Sequence, residues 1–360
     1  EFSPITYSNT YGDQKKRPYV SLNMMQVVCR RMASLLYNEQ SKISIDTRKA
    51  ADPDKPPTKK DAANDFVQSV LEANDFGKNF ERYLESCLAM GGLAIRPYVD
   101  DNTGAIKLAW VQAPNFYPLR SNTSDVTSAA IATQTYAVEN DRNVYYTLLE
   151  IHEWTENGYT ISTELYRSED VATVGLRVPL ASQYPDLAEQ TTVSPATRPL
   201  FVYLKPAGFN NKSLVSPLGV GLCDNALSTL KQINDTYDQF NWEVRMGQRK
   251  VGVPESMTRV SYTKNGKDQV KQYFDPDQNV FIATQSGVDG KGVVDLTSQI
   301  RSTEYIAALN QFFNTLEMQL GLSAGTFSFD GQAVKTVTVV VSVNSMTYQT
   351  RNSHLTTVER

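Results

Sequence analysis

With two histidines, three cysteines and no phosphate-binding loop, the chemistry open to this 360-residue chain is narrow. His152 lies between Glu150 and Glu153-Trp154 in a strand-like run, and reads as a half-exposed sheet histidine in preference to a general base. Cys29, Cys87 and Cys223 each fall in a helical pattern; an odd number so placed points to buried free thiols in a reducing cell, not a disulfide frame. No histidine–cysteine cluster has zinc spacing, so neither metal nor cofactor is expected. Gly219-Val220-Gly221 is a lone fragment, and no glycine is followed at the needed spacing by Gly-Lys-Ser/Thr. Asp275-Pro276-Asp277-Gln278-Asn279 offers alternating oxygen donors but lacks the glycine and distant glutamate of a calcium loop, and reads as a turn. There is no Gly-x-Ser-x-Gly elbow. No catalytic residue is assigned, and the chain is not read as an enzyme.

The charge balance narrows the classes further. A net charge of −4, with acids and bases mixed along the chain, does not suit a protein that grips nucleic acid by neutralising phosphates. It leaves room for DNA to pass a surface that does not hold it. No run of eighteen apolar residues exists, so no membrane span is expected. The chain opens Glu1-Phe2-Ser3 with no charged-then-apolar leader, and residue 1 is not read as the natural start.

The elements that would position any site begin with residues 1–20, an extended arm by composition. A helix follows from Leu22 to about Glu39, then a short strand over Lys42–Asp46 and a charged, proline-rich surface loop at 48–60. Two helices, about Asp61–Ala73 and Phe76–Met90, end at Gly91-Gly92. From Leu93 to Tyr203 the period changes to two. Val144–Trp154 and Tyr159–Arg167 flank Asn157-Gly158, a type I′ hairpin signal, and 168–199 is irregular. An antiparallel sheet beside the early helices, an α+β unit, is expected.

Two long helices dominate what remains. Ser216-Pro217 offers a cap and a first-turn proline for a helix to about Arg249, roughly 45 Å long at 1.5 Å per residue. Cys223, Ala226, Leu230, Ile233, Tyr237, Phe240 and Val244 recur along it at steps of three and four. Ile306, Leu309, Phe313, Leu316 and Leu320 repeat that spacing in a second helix from about Ser298, which Gly321 suits as a left-handed cap. Between them, 250–297 has short β runs and turns at Asn265-Gly266, Asp275-Pro276-Asp277 and Gly287 to Gly292, with balanced charge. It reads as a tip that meets another molecule. A glycine-punctuated loop with exposed-looking Phe327 and Phe329 follows, then a stretch whose valines at 334, 337, 339, 340, 341 and 343 favour strand. Stripes on helices this long exceed what one neighbour covers, which points to packing against copies of the same chain.

This order of parts, with Ile300-Arg301-Ser302-Thr303-Glu304-Tyr305 and the run from Leu320-Gly321-Leu322-Ser323 through Ala324-Gly325-Thr326-Phe327-Ser328-Phe329-Asp330, resembles the portal proteins of tailed bacteriophages, siphophage type. The resemblance is clearest over 215–360. It implies the α+β portal architecture: a wing over 1–216, stem helices at 217–249 and 298–321, a clip at 250–297, a tunnel loop at 322–336, and a wing-crossing helix beginning at 337–360. The family's crown is expected beyond Arg360. The chain departs from the family after Lys335, where valines at 337, 339, 340, 341 and 343 include positions that are usually acidic; the resemblance still implies helix there.

In function, the resemblance implies a ring, usually of twelve subunits, at one capsid vertex of the virion, assembled in the bacterial cytoplasm. Double-stranded DNA enters and leaves through it, touched transiently and without specificity. The implied partners are the terminase large-subunit ATPase, the head–tail adaptor, the major capsid protein and scaffolding protein. Residues implied to meet DNA are Ser323, Thr326, Phe327, Ser328, Phe329 and Lys335. Stem packing falls to Leu230, Ile233, Tyr237, Phe240, Ile306, Leu309, Phe313 and Leu316, and partner docking to Lys264, Lys267, Lys271, Asp275 and Asp277. Two other readings of the residues stand beside this one: a different assembly protein whose helical hairpin oligomerises and whose tip binds a partner, and an α+β enzyme with an acidic site that the sequence does not reveal.

Overall fold

The computed structural model describes residues 3–8, 13–38, 41–44, 62–100, 103–122, 125–248, 251–254, 259–264, 267–272, 281–284, 294–295, 297–327 and 345–358. Between 253 and 294 the description is of backbone pairing. Helix and sheet are mixed, as expected of an α+β chain. The chain divides into two compact units, Met25–Asn225 with Met346–Arg360, and Glu1–Met24 with Ala226–Ser345. Among the described residues no helix is long and apolar enough to cross a membrane.

The first unit is built on sheets. Helices α1 (Met24–Leu36), α2 (Ala62–Ala73) and α3 (Phe76–Met90) precede its strands. Helix α1 buries Val28, Cys29, Met32, Ala33 and Leu36, while α3 buries Phe80, Leu84, Cys87 and Leu88. Gly91 ends α3 at φ 85° and returns its N–H to the Cys87 carbonyl, the left-handed cap expected of the glycine pair. Residues 41–44 are not strand, contrary to expectation, and 48–60 lie outside the described residues.

Two antiparallel sheets follow where one was expected. Strands β3 (Leu93–Val99), β4 (Ile106–Gln112) and β11 (Val202–Leu204) form one, in the order β11-β3-β4. The other pairs β5 (Phe116–Ser121), β6 (Val126–Glu139), β7 (Arg142–Thr155) and β8 (Gly158–Ser168) in sequence order. One edge of β8 takes two short strands, β9 (Leu176–Val178) along Leu165–Arg167 and β10 (Gln190–Val193) along Tyr159–Ser162, so the segment expected to be irregular partly pairs. Ala94 and Val111 of one sheet share a core with Phe116, Val126, Ala129 and Ile131 of the other and with Phe201. Phe116 stacks on Tyr203 at 4.7 Å. On α3, Tyr83 lies flat against Trp110 of β4 at 5.1 Å, which fixes helix to sheet.

The type I′ turn sits one hairpin earlier than the sequence suggests. Glu139 pairs with Arg142, and the intervening Asn140 and Asp141 both have positive φ, 50° and 59°. At the expected site Thr155 pairs with Gly158, so the turn residues are Glu156 and Asn157, and the positive φ of 120° falls on Gly158. His152 is buried, not half-exposed, with its Nδ1 2.9 Å from the Tyr159 hydroxyl. Burial lowers its pKa to about 4, with the Arg96 charge adding to the effect. Arg96 reaches from β3 to the buried Glu150 carboxylate of β7 at 2.7 Å. Helix α6 (Ser345–Val358) returns to this unit: His354 is buried and its Nδ1 accepts the Ala207 N–H at 3.0 Å, while Arg351 donates to the Leu35 carbonyl. The valine-rich stretch at 334–343 lies outside the described residues, as do 337–344 of the expected crossing helix.

The second unit is helical with a β insert. Its opening residues are not an extended arm but a hairpin, β1 (Ile5–Ser8) against β2 (Gln14–Arg17). Helix α4 runs Leu227–Met246 and α5 runs Ser302–Leu320. Helix α4 thus starts ten residues after Pro217, and its 20 residues span about 30 Å. The Ser216-Pro217 signal is overridden in the first unit, where 219–222 lies against the end of α3. A Cβ on Gly219 would stand 2.4 Å from the Gly91 carbonyl oxygen, one on Gly221 2.4 Å from that of Ala89, and Leu222 donates its N–H to Leu88. That close approach needs glycine, and the chain there is not helical. In the insert, β12 (Val251–Pro254) pairs in parallel with β15 (Phe281–Thr284) and antiparallel with β16 (Val294–Asp295). Strands β13 (Arg259–Lys264) and β14 (Lys267–Gln272) form a hairpin.

Candidate functional site

Helices α4 and α5, the pair expected to form a stem, and the loop that leaves α5 form the candidate site. At the Met246 end of α4 the two helices meet closely. Glu243 is gripped by Arg301, with Oε2 to Nη2 at 2.6 Å and Oε1 taking both the Arg301 backbone N–H and Nε. Those hydrogen bonds hold the Glu243 carboxyl at about 2, well below its ordinary 4.5. Phe240 leans on Tyr305 at 5.3 Å. Gly247 lets Ile300 come near, since a Cβ there would meet it at 2.7 Å.

The stripe residues sort by depth. Leu230 and Ile233 are buried on α4, and Leu309, Phe313 and Leu316 on α5. Tyr237, Phe240 and Ile306 are half-buried. Val244, which continues the stripe, is exposed, as is Met318. Asp238, off the stripe, is buried instead. Arg17 of the hairpin forks onto both its oxygens at 2.7 and 2.6 Å, and Val20 N–H adds a third bond to it. Arg17 also lies over Trp242 at 4.7 Å, and Tyr7 meets the same ring edge-on. Tyr19 donates to Asp235, and Ser21 with the Leu22 N–H reaches Asn234. The hairpin is thereby strapped along the middle of α4.

At its far end α5 closes in a Schellman turn. Gly321 stands at φ 65°, Leu322 N–H bonds the Glu317 carbonyl at 2.8 Å, and Gly321 N–H bonds that of Met318 at 3.2 Å. The Glu317 side chain is buried beneath the following loop. Its Oε2 accepts the Gly325 N–H at 2.8 Å and its Oε1 the Phe327 N–H at 2.5 Å. Thr326 turns back to the Ser323 carbonyl through both its hydroxyl and its N–H.

Of the loop residues expected to meet DNA, Ser323 is buried in this turn and Thr326 and Phe327 are half-buried, so Phe327 is less open than its sequence context suggests. Ser328, Phe329 and Lys335 lie outside the described residues. In the insert, Lys264 pairs in register with Lys267, and Lys271 with Val260; Asp275 and Asp277 lie outside the described residues, as do Asn265-Gly266 and 287–292. The structure thus buries or half-buries all eight residues expected to pack the stem, and leaves the described docking residues as two lysines at a hairpin end and one within its strand. Among the described residues no three His, Cys, Asp or Glu side chains are placed to hold a metal ion.

Sequence reasoning missed Glu317, Asp238, Glu243 and Arg301. For Glu317 a signal was present: an acid in a helix's last turn opposes the helix dipole and needs a reason to be there.

The family model for phage portal proteins of the SPP1 Gp6-like type matches residues 3–360. The chain belongs to that family. No curated protein matches it. The family is a structural, non-enzymatic one, and membership gives the chain a phage portal role at the capsid vertex, in DNA packaging and head–tail connection. In general terms it also implies self-assembly into a ring and dealings with capsid, terminase and DNA. The portal reading suits the charge: a conduit must let DNA slide, and a chain of net charge −4 offers few phosphate anchors.

Proposed function

We propose that twelve copies of this portal protein form a ring at one capsid vertex, and that double-stranded DNA is packaged and later ejected through its centre. Helices α4 and α5 form the stem wall. The insert, 250–297, is the clip that docks the terminase motor and afterwards the head–tail adaptor, through Lys264, Lys267 and Lys271 among others. The loop 322–336 borders the channel, with Thr326 and Phe327 the described residues on its surface. Major capsid and scaffolding proteins meet the ring outside the channel. Translocation energy comes from the terminase ATPase.

The observation that carries this reading is the family match across nearly the whole chain, joined to paired helices that end in a loop tied down by Glu317. The exposed flanks at Leu227, Val244 and Met318 leave apolar surface for a neighbouring subunit. Negative-stain microscopy of the purified chain is expected to show twelve-fold rings with a central hole; dimers, rods or monomers would overturn the proposal. Deleting 324–331 should leave rings intact and abolish packaging or retention of DNA. Normally filled, stable heads from that deletion would remove the loop's assigned role.

A further inference from the structure

Two costs are stacked on Glu317. Its carboxylate sits in the last turn of α5, where the helix dipole is negative, and the residue is 1% exposed. A buried anion in that position persists when it is hydrogen-bonded on both oxygens. Here both partners are backbone N–H groups of the loop, Gly325 on Oε2 and Phe327 on Oε1, while the residue's own carbonyl takes Leu322 N–H. One residue of the stem therefore fixes three amides of the segment that leaves it. Gly325 has φ 82°, which turns the chain so that its N–H and that of Phe327 converge on one carboxylate.

We infer that Glu317 is the positioning residue of the channel loop: it clamps 322–327 onto the end of the stem helix, so that the loop does not pivot at Gly321. This rests on the reading of 322–336 as the channel loop. Because the clamp joins side chain to backbone, it sets where the loop starts whatever side chains the loop carries. A shift of α5 along its axis is passed directly to the loop root.

The test uses full-length rings carrying Glu317→Gln, which keeps shape and helix but replaces one acceptor oxygen by an N–H₂ facing an N–H. Expected are rings unchanged by microscopy, chymotryptic cleavage after Phe327 faster by about tenfold, from loss of one charge-assisted bond, and a fall in DNA packaged or retained per head. Unchanged cleavage after Phe327 would overturn the clamp, whatever happens to packaging. Faster cleavage with normally filled heads would leave the clamp standing but overturn its role in positioning, through failure of the channel-loop reading itself. Should the variant not assemble, hydrogen exchange on wild-type rings decides. The Gly325 and Phe327 amides must exchange more slowly than that of Ala324, and equal rates would overturn the inference.

Discussion

Along β7 and β8 buried residues are interspersed with half-buried ones and find their partners by register. On α4, by contrast, a buried residue beside the apolar stripe is Asp238, and its partner Arg17 is 221 positions away. The sheet unit is assembled mostly by apolar contacts in register, with the Arg96–Glu150 ion pair buried among them. The helical unit adds a few charged ties at named points: Arg17 to Asp238, Arg301 to Glu243, and Glu317 to the loop amides. Spread contacts fail gradually, whereas ties fail one at a time and locally. A protein that must hold a rigid sheet unit and still set a hairpin and a loop against long helices benefits from both.

The contrast can be broken by experiment, the largest effect first. Phe116→Ala removes a ring stacked on Tyr203 and edge-on to Phe201 in the core between the sheets, and should cost about 4 kcal/mol in denaturant unfolding. A loss under about 1 kcal/mol would mean the sheet core is less continuous than described. Asp238→Ala strands the Arg17 guanidinium, and a loss of about 3 kcal/mol is expected. Adding Arg17→Met should restore most of it, because the pair's cost lies in leaving one charge alone; no recovery would show that the hairpin is held by its other contacts.

Acid should separate the units. His152 has a folded pKa of about 4 against 6.5 unfolded, so the unfolded chain binds the proton first. Its contribution is fully present above pH 6.5 and is lost as pH falls through 4, by about 3 kcal/mol at most. Glu243 shifts in the same direction but over a lower window: its folded pKa of about 2 lies below its ordinary 4.5, so its contribution holds above 4.5 and disappears as pH falls toward 2. Between pH 6.5 and 4.5, hydrogen exchange should therefore rise in peptides of the sheet unit first, and His152→Phe should flatten that rise. The smallest effect belongs to Arg301→Ala. The Arg301 side chain is 68% exposed, and its tie to Glu243 should weaken further with added salt, a change read at the α4–α5 end and hardly at all in global stability.

How far the sequence reveals all this follows the same division. Periodicity located α2, α3 and the main hairpin strands almost to the residue, and the stripe Leu230, Ile233, Leu309, Phe313, Leu316 is buried as its spacing implies. Errors arose where a distant contact overrides a local signal. Ser216-Pro217 looks like a helix start, but the course of 219–222 is set by the backbone at Ala89 and Gly91. Asn157-Gly158 is a strong turn dipeptide, yet strand register moves the turn by one residue and gives the I′ geometry to Asn140-Asp141. The charged ties were illegible for a different reason: an acid on a helix reads as a solvated face until the chain brings an arginine or an amide to it. The proposal that 322–336 borders a channel rests on resemblance, and the loop's attachment through Glu317 on geometry.

The two short strands on β8 have a consequence for a protein that must join copies of itself in one arrangement only. A bare eleven-residue edge would invite any neighbouring chain to add a strand and grow an open-ended aggregate. Residues 176–178 and 190–193 occupy most of that edge from within the same chain, and Thr163 N–H is taken by Glu189 between them. The irregular segment 169–199 thus works as a built-in plug. It leaves little bare edge on β8 for sheet extension to compete with assembly.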